Sequence, residues 1–533
     1  MGLRRLLTPA ALPLFCALLL GVCPVRSQGP EFWNDQAQLT LRKALHRQRT
    51  LNTNVAKNVV FFVGDGMGIS TVTAARILKG QQAGNPGEET VLAWEDFSSL
   101  GLSKTYSVDR QTADSAATAT AFFSGVKSND DMVGLDDRAK VGDCASTFNA
   151  SAESFLTLAH KAGKATGFVT TSRVTHATPA ALYAHCPDRY WEDDEDVPSY
   201  ERALGCTDIG SQLAENGKDF EVIMGGGRRE LTSRDFIDPE YPEKDGHRED
   251  GRNIINEWLL SKPQDRSKYV WNLDDFNKVD PNETDHLIAL FERSHMHFEI
   301  ERADDEGGEP SLAEMTEKAI KILQKDPDGF VLAIEGARID HAHHDGTARL
   351  ALLETLSMEE AVAKAMELTN EEDTLVIVTA DHSHTLTIGS YADRGNPILG
   401  LSGYEGEDDL PIPTLLYAGG PGGELEMRSY NRTGARRNLN NIDTEDLEFI
   451  QPAIIPAHDE SHGGEDVAIY ANGPMSHLIH GVHEQNYIAH VVRYAACLDD
   501  SRENCEASSA PPSGSLSLAV GITTFILSTI FSV

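Results

Sequence analysis

The feature of this sequence that most restricts its fold is a series of short apolar runs, rich in β-branched and aromatic residues, that alternate with helical patterns. The runs cover residues 58–63, 166–170, 221–224, 329–334 and 374–379. The helical patterns include residues 71–79, 151–162, 311–324 and 349–368. Because apolar strands that alternate with helices form parallel sheets covered on both faces, the sequence predicts an α/β fold. We expect a doubly wound α/β/α sandwich with a large, mostly parallel central sheet.

Carboxylates and imidazoles follow three of these runs at the point where each strand is expected to end. They are Asp65 after the first run, Glu335, Asp340, His341, His343 and His344 after the fourth, and Asp381, His382 and His384 after the last. Open α/β sheets bind ligands beyond the carboxyl ends of their strands, and a buried cluster of unpaired acids is costly. Since these side chains suit Zn²⁺ and Mg²⁺, the pattern predicts metal ions at this edge of the sheet.

The spacing of these residues supports the metal interpretation. Asp340 and His344 are four residues apart and share one face if the chain turns into a helix there. Asp381 and His382 can offer two ligands to one ion. A single His-rich tract is usually a solvated loop, and a single Asp at a strand end is often a helix cap. Three such motifs at equivalent strand ends favour the metal site over both alternatives.

The segment DSAATATA, residues 114–121, supplies a candidate nucleophile. Alanine and threonine suit a buried helix, and Ser115 would stand at its N-terminus, where the helix dipole favours an alkoxide. The alternative is that Asp114 or Ser115 only caps the helix. From this segment alone the two interpretations weigh equally.

Both ends of the chain carry apolar stretches that are typical of processing signals. Residues 1–27 combine arginines, an apolar run and a small-residue cleavage site, which predicts a secretory signal peptide. Residues 506–533 pass from small and polar residues to an apolar tail, which predicts a glycosylphosphatidylinositol (GPI) anchor signal with attachment at Ser508. The alternatives are a signal anchor and a C-terminal transmembrane helix. They fit less well because the first run is short and no basic residue follows the second.

Secretion makes the cysteines and the sequons informative. Two of the seven cysteines leave with the signal, so five remain, and an oxidising compartment then implies two disulfides and one free thiol. Cys497 and Cys505 are close in sequence and are expected to pair, while Cys144–Cys206 is one of three ways to pair the others. The predicted glycosylation sites, each at the start of an Asn-X-Ser/Thr triplet, are Asn149, Asn282 and Asn431.

The charge of the chain excludes one class of partner. It carries 83 Asp and Glu against 46 Lys and Arg, a formal net charge of −37. Proteins that bind a phosphate backbone do so with clustered Lys and Arg. We therefore expect no nucleic acid partner.

Two stretches interrupt the alternation of strands and helices. Residues 232–309 are rich in Asp, Glu, Asn and Pro, and we expect them to lie outside the sheet. Residues 390–460 are Gly-rich and acidic, and we expect them to form a smaller inserted lobe. The core pattern returns at residues 466–470.

Six longer motifs carry a resemblance to a known family. They are VGDGMGISTVTAARILKGQ, DSAATATA, THATPAALYAH, EGARIDHAHH, TADHSH and HGGEDVAIYANGP. Over residues 55–505 the chain resembles the alkaline phosphatases, in particular the membrane-anchored animal type. The resemblance implies hydrolysis of small phosphate monoesters through a phosphoserine. The alternatives are a sulfatase or phosphodiesterase of the same superfamily and a catalytically silent anchored surface protein, and the intact DSAATATA motif and ligand set disfavour both.

The resemblance implies a role for individual residues by their place in these motifs. One Zn²⁺ is expected on Asp340, His344 and His462, a second on Asp65, Asp381 and His382, and Mg²⁺ on Asp65, Thr178 and Glu335. The expected nucleophile is Ser115, and the expected binder of two phosphate oxygens is Arg189. The side chains expected around these ligands are His176, His341 and His384. A structural Ca²⁺ is expected on Glu240, Phe291, Glu292 and Glu309.

The same resemblance implies the assembly and the location of the protein. We expect a homodimer, with Tyr391 at the site entrance of the other subunit, held by its lipid anchor at the extracellular face of the plasma membrane. Cys186 matches no family position and is the expected free thiol. The expected parts are a dimer-contact arm at 28–54, a catalytic domain at 55–389 and 461–505 with a calcium-binding excursion at 232–309, and an inserted crown lobe at 390–460.

Overall fold

The computed structural model describes residues 30–500, 502 and 505. The predicted signal peptide, residues 1–27, and the predicted anchor signal, residues 506–533 with Ser508, lie outside the described residues. Within the described part of the chain, no helix combines the length and the apolar composition that crossing a lipid bilayer demands.

One large sheet and three small ones contain the strands of the described residues. In chain order the strands are β1 (Asn58–Gly64), β2 (Ser99–Lys104), β3 (Ala165–Arg173), β4 (Val222–Gly226), β5 (Ser267–Val270), β6 (His286–Leu290), β7 (Phe330–Gly336), β8 (Thr374–Ala380), β9 (Ser383–His384), β10 (Thr387–Ile388), β11 (Leu401–Glu405), β12 (Pro411–Pro413), β13 (Leu415–Gly420), β14 (Ala453–Pro456), β15 (His462–Gly463), β16 (Val467–Asn472) and β17 (Gly481–Glu484). The large sheet has ten strands in the order β17-β2-β16-β8-β1-β7-β3-β4-β6-β5. In it β16 is antiparallel to both neighbours and the other pairs are parallel. The predicted large, mostly parallel sheet is therefore confirmed.

Helices cover both faces of this sheet. In chain order they are α1 (Pro30–Arg49), α2 (Ile69–Gln82), α3 (Ser115–Ser124), α4 (Phe155–Lys161), α5 (Ala177–Ala180), α6 (Ser199–Arg202), α7 (Ile209–Glu215), α8 (Arg228–Leu231), α9 (Ile254–Leu260), α10 (Leu273–Lys278), α11 (Leu312–Leu323), α12 (Arg338–His344), α13 (Ala348–Leu368), α14 (Pro421–Thr433) and α15 (Tyr487–Ala496).

The side chains of β1 show how the sandwich is built. Successive strand residues point to opposite faces. Val59 and Phe61 join an apolar cluster with α3, α4 and α15, and Val60 and Phe62 join a second cluster with α11 and α13. Each face of the sheet thus has its own buried core, as a doubly wound sandwich requires.

Most of the predicted elements form, and one expectation is wrong. The five predicted strands correspond to β1, β3, β4, β7 and β8, and the four helical patterns to α2, α4, α11 and α13. Residues 232–309, however, do not lie outside the sheet, because β6 pairs in parallel with β4 and β5 pairs with β6. The apolar run of β6 is only five residues long and lies in an acidic stretch, so the composition of the region concealed it.

Residues 390–460 form a small assembly of their own beside α2 and α13. β11 and β12 make a hairpin, β13 pairs with β10 and β14, and α14 packs on β14. Leu415 and Tyr417 pack in an apolar cluster with Ala75 of α2 and Leu352 of α13. These contacts attach the segment to the main domain.

The cysteines of the described residues form two disulfides and leave one buried thiol free. The disulfides are Cys144–Cys206 and Cys497–Cys505. Of the three pairings that the sequence left open, Cys144–Cys206 is the one that forms. Cys186 is free and fully buried. Burial raises the pKa of Cys186 to about 12, so its thiol stays protonated and unreactive.

Candidate metal centre and active site

Strand register brings the predicted ligands to one edge of the sheet. Val63 lies opposite Glu335 on β7 and opposite Thr379 on β8. Asp65, which follows β1, and Asp381, which follows β8, are therefore level with the end of β7. All three acids are buried, as the strand-end pattern predicted.

The first ligand cluster contains Asp340, His344, His384 and His462, whose ligand atoms all lie within 4.8 Å of one another. Asp340 and His344 stand one turn apart on α12, with Oδ2 and Nε2 3.4 Å apart. His462 comes from β15, which pairs with β9. The spacing of residues around the strand ends gave no reason to include His462; only the family motif did.

Two of the three imidazoles in this cluster, those of His344 and His462, are oriented for a cation. His344 Nδ1 lies 2.6 Å from the carbonyl of Glu460, and His462 Nδ1 lies 2.9 Å from the carbonyl of Ala113. A carbonyl only accepts hydrogen bonds, so each Nδ1 carries the proton and each Nε2 carries a lone pair. The two Nε2 atoms face each other at 3.1 Å. Two converging lone pairs beside the carboxylate of Asp340 fit a divalent metal such as Zn²⁺.

The second cluster contains Asp65, Asp381 and His382. His382 Nδ1 lies 3.3 Å from the carbonyl of Ser383, which leaves the lone pair on Nε2. That nitrogen is 3.0 Å from Asp381 Oδ2 and 3.5 Å from Asp65 Oδ1. A lone pair that faces two carboxylates again fits a cation.

The third cluster contains Asp65, Glu335 and His176, with Thr178 beside it. Glu335 Oε2 accepts hydrogen bonds from Thr170 and Ser172 at 2.5 and 3.2 Å. Among the described residues, the buried Glu335 Oε1 and Thr178 Oγ1 make no well-formed hydrogen bond. Oxygen atoms left without a partner suit a hard cation such as Mg²⁺.

The pKa directions show that Asp65, Asp381 and Glu335 lack a counter-charge, whereas Asp340 has one in His344. Burial and the neighbouring acids raise the pKa of Asp65 and of Asp381. Burial also raises the pKa of Glu335 to about 7, against the hydrogen bond from Thr170. Burial opposes ionisation of Asp340 as well, but His344 outweighs it and holds the pKa of Asp340 well below its usual range. Divalent cations would supply the missing charge.

Ser115 faces the second cluster from the first residue of α3. Asp114 caps the helix, because its carboxylate accepts hydrogen bonds from the amides of Ala116 and Ala117. The Ser115 hydroxyl is thereby free to point at the ligands, with Oγ 3.2 Å from His382 Nε2 and 3.4 Å from Asp65 Oδ1. Asp114 therefore has the capping role, and Ser115 stays the candidate nucleophile.

Arg189 connects the serine segment to the third cluster. Its Nη1 donates to Asp114 Oδ2 at 2.8 Å, and its Nη2 lies 3.3 Å from His176 Nε2. His176 also stands next to His341, with ring centroids 5.6 Å apart. Burial lowers the pKa of His341 to about 3 and lowers that of His176 well below its usual range, so both rings are neutral.

Glu460 is a buried residue of the site that sequence analysis missed. His384 Nε2 lies 2.6 Å from Asp340 Oδ1, and its Nδ1 contacts Glu460 Oε2. Glu460 Oε1 accepts a hydrogen bond from the amide of Thr385 at 2.9 Å. The carboxylate therefore fixes the ring that contacts Asp340. The sequence signal that could have identified Glu460 is its position two residues before His462.

Replacing Glu460 by Ala is expected to weaken Zn²⁺ binding at the first cluster by about 10-fold to 100-fold, because partners of metal ligands orient them at about this cost. The measurement is the rate of Zn²⁺ release to a chelator. Asp459→Ala is the control, since Asp459 is an exposed neighbour that pairs with the exposed His458. An unchanged release rate in Glu460→Ala would show that Glu460 does not hold His384.

The residues expected to bind Ca²⁺ also lie together. Glu292 Oε1 and Glu309 Oε1 both lie near His297 Nδ1, at 3.6 and 3.4 Å, and Glu240 Oε1 is buried without a hydrogen-bond partner among the described residues. Burial raises the pKa of Glu240 to about 7. Phe291, the last of the set, is fully buried at the end of β6.

The predicted surface features are exposed. The three sequon asparagines, Asn149, Asn282 and Asn431, are all accessible to solvent. Tyr391 is 92% exposed, and α1 has no buried residue.

This chain is similar to proteins described as alkaline phosphatases. Residues 56–498 match the family model for alkaline phosphatase. The alkaline phosphatase of Gadus morhua is 47% identical over 483 residues, which cover 90% of this chain and 99% of the relative. The tissue-nonspecific isozyme of Homo sapiens is 45% identical over 518 residues, which cover 95% of this chain and 96% of the relative. The solved structure of Thermus thermophilus alkaline phosphatase matches with a TM-score of 0.59 at 23% identity, over 86% of this chain and 94% of that one, and shows the shared fold.

Proposed function

Since the chain belongs to the alkaline phosphatase family and is a phosphoric monoester hydrolase, we propose that it works through a phosphoserine on Ser115 at a site for two Zn²⁺ and one Mg²⁺. The observation that carries this proposal is the Ser115 hydroxyl, 3.2 Å from a His382 nitrogen whose lone pair faces two carboxylates. The family assignment also sets aside a sulfatase, a phosphodiesterase and a silent surface protein.

The ligand sets follow the three clusters. Asp340, His344 and His462 would hold one Zn²⁺, and Asp65, Asp381 and His382 the other. Asp65, Thr178 and Glu335 would hold Mg²⁺, with His176, His341 and His384 around the ligands. When bound, the Zn²⁺ ions supply Lewis acidity that favours the Ser115 alkoxide and a charged leaving oxygen.

The proposed reaction consists of two displacements at phosphorus, in which the protein's own residues take part. The Ser115 hydroxyl gives up its proton and Oγ bonds to phosphorus, while the bond between phosphorus and the ester oxygen breaks; that oxygen takes up a proton and leaves as the alcohol. The oxygen of a water molecule then bonds to phosphorus, the Oγ–P bond breaks, and Oγ takes up a proton that the water gives up. Arg189, held by Asp114, is placed to bind two phosphate oxygens through its planar fork.

The proposed ions also account for an anionic substrate on an acidic chain. Four carboxylates, Asp65, Glu335, Asp340 and Asp381, would face three divalent cations, so the centre would be positive before Arg189 adds its charge. The net charge of −37 belongs to the whole chain. Local charge, and not the total, attracts the substrate.

Two in-line displacements are expected to retain configuration at phosphorus and to transfer phosphate to added alcohols. A phosphate monoester that is chiral at phosphorus, incubated with an alcohol acceptor, checks this. The control is the same incubation without enzyme. Inversion of configuration would indicate direct attack by water and would contradict a phosphoserine.

The segment at residues 232–309 is proposed to bind a structural Ca²⁺ on Glu240, Phe291, Glu292 and Glu309. The buried, unpartnered Glu240 Oε1 supports this, because an anionic oxygen without a donor is costly to bury. The nearby Asp305 Oδ2 is also without a partner among the described residues and adds to the local negative charge.

The assembly and location complete the proposal. Residues 28–54 would form the dimer-contact arm, with the catalytic domain at 55–389 and 461–505 and the crown lobe at 390–460. The exposed apolar residues of α1, among them Trp33 and Leu41, support a partner there. We also propose glycosylation at the three exposed sequons and a lipid anchor at Ser508 at the extracellular face of the plasma membrane.

A further inference from the structure

A surface groove lies between α11 and the segment that carries one of the predicted glycosylation sites. Its volume is about 520 Å³, within the range of about 300–1,000 Å³ that small-ligand pockets have. Phe276 and Pro281 line it from this segment, and Glu317 and Lys321 line it from α11. Asn282, the acceptor of a sequon, is itself part of the groove wall. A sugar on this asparagine would therefore start at the groove.

The charges in the groove balance one another. Its lining contains two acids, Glu314 and Glu317, and two lysines, Lys318 and Lys321. Lys321 pairs with Glu317, and Lys318 Nζ donates to two backbone carbonyls at 3.1 and 2.9 Å. Because binding sites complement the charge of their ligands, a groove without net charge favours a neutral ligand over an ion.

Two carboxamide side chains in the lining have unused hydrogen-bonding groups. Asn277 and Gln324 both line the groove and are exposed, and neither forms a side-chain hydrogen bond to another described residue. A carboxamide both donates and accepts, so it can bind the hydroxyl and acetamido groups of a sugar. Pro281, half-buried in the same lining, adds an apolar surface for the carbon face of a sugar ring.

The side chain of Asn282 is held in place at this wall. Its Nδ2 and its backbone amide both donate to Asp280 Oδ1, at 3.0 and 2.9 Å. Nδ2 carries two hydrogens, and an N-linked glycan replaces one of them. The asparagine can therefore keep its contact with Asp280 while it carries a sugar, which limits the directions that the sugar can take.

The hydroxyl of the same sequon determines when a glycan could be added. Thr284 is 0% exposed, and its Oγ1 makes no hydrogen bond within the described part of the chain. Because the acceptor is the whole Asn-X-Thr triplet, the glycan must be transferred before this segment folds. α11 follows the triplet in the chain, so one wall of the groove would form with the sugar already in place.

We propose that the first sugars of an N-linked glycan on Asn282 occupy this groove and contact α11, so that they are shielded from solvent. The proposal rests on the glycosylation of Asn282 that the proposed function includes, and it adds where that glycan lies. Asn431 serves as the comparison site. Residues 431–434 are all exposed, and none of them lines the groove.

The full chain is produced in cells that make only oligomannose glycans, so that every occupied sequon carries the same substrate for an endoglycosidase. The folded protein is incubated with the endoglycosidase, and mass spectrometry of its peptides gives the cleavage rate at each asparagine. We expect cleavage at Asn282 to be about tenfold slower than at Asn431, the scale of two hydrogen bonds that hold the sugar. After denaturation the two rates should be equal. Equal rates in the folded protein would overturn the proposal.

A double variant tests whether the groove is the source of this protection. Asn277→Ala with Gln324→Ala removes both free carboxamides and should raise the cleavage rate at Asn282 about tenfold. The matched control is Gln82→Ala with Asn85→Ala, which changes an exposed Gln and Asn at the end of α2, outside the groove. It should keep the slow cleavage. Slow cleavage that persists in the groove variant would contradict the proposal, because another part of the protein would then shield the glycan.

Occupancy of the site is measured in the same samples. Enzymatic release of the glycans in heavy-oxygen water converts each glycosylated asparagine to a labelled aspartate, and we expect this label at Asn282. An unlabelled Asn282 would overturn the proposal. Failure of the phosphatase mechanism gives a different result: wild type would form no phosphoenzyme, while the cleavage rates would still report on the glycan.

Discussion

Ser115→Ala is expected to form no labelled phosphoenzyme and to lower kcat by about three orders of magnitude or more, the scale of removing a catalytic nucleophile. Ser115 Oγ is the hydroxyl that faces both Asp65 and His382. The hydroxyl of the neighbouring Thr118 lies 3.4 Å from Asp381 Oδ2, but its shorter hydrogen bonds, of 3.0 and 3.1 Å, go to the backbone carbonyls of Asp114 and Ser115 and hold it toward the helix backbone.

The matched control is Ser124→Ala. Ser124 is a buried serine at the other end of α3, where its hydroxyl donates to the carbonyl of Thr120, so the change removes a hydroxyl from the same helix without touching the ligands. Enzyme is mixed with a phosphorus-labelled monoester, quenched in acid and digested. A labelled Ser115 peptide should appear in wild type and Ser124→Ala. Label retained in Ser115→Ala would contradict the nucleophile assignment.

Local sequence predicted the parts of the site that strand ends deliver. Asp65, Glu335 and Asp381 could be placed because each follows an apolar run, and parallel strands end at one edge of a sheet. The pair Asp340 and His344 needed only the helical spacing of α12. These inferences depend on residues that are close in sequence.

The residues that sequence reasoning did not reach depend on long-range contacts. His462 meets His344 from 118 residues away, and Glu460 meets His384 from 76 residues away. No local period links such residues, so only the family motif identified His462, and Glu460 was missed. Strand β6, which lies between β4 and β5, was missed because the acidic residues around it masked a short apolar run.

The stability of metal-free protein is expected to fall as pH rises from about 5 to 8, whereas the metal-loaded protein should lack this component. Burial raises the pKa of Glu335 from 4.5 to about 7, and it also raises the pKa of Asp65 and of Asp381. Between pH 4.5 and about 7 the folded state binds more protons than the unfolded state, so the stability decreases as the pH rises. The contribution of these raised pKa values to the stability is fully present below pH 4.5 and is lost as the pH rises past about 7.

Both the size of this loss of stability with pH and the residue that causes it can be measured. For Glu335 alone the shift corresponds to a loss on the order of 3 kcal/mol, and bound cations remove it because they stabilise the ionised carboxylates. The measurement is the free energy of unfolding across this pH range, with and without chelator. Glu335→Gln should flatten the slope of the metal-free protein, because an amide does not ionise. Glu306→Gln, at an exposed acid, should keep the wild-type slope. Equal slopes for metal-free and metal-loaded protein would mean that cations do not neutralise these acids.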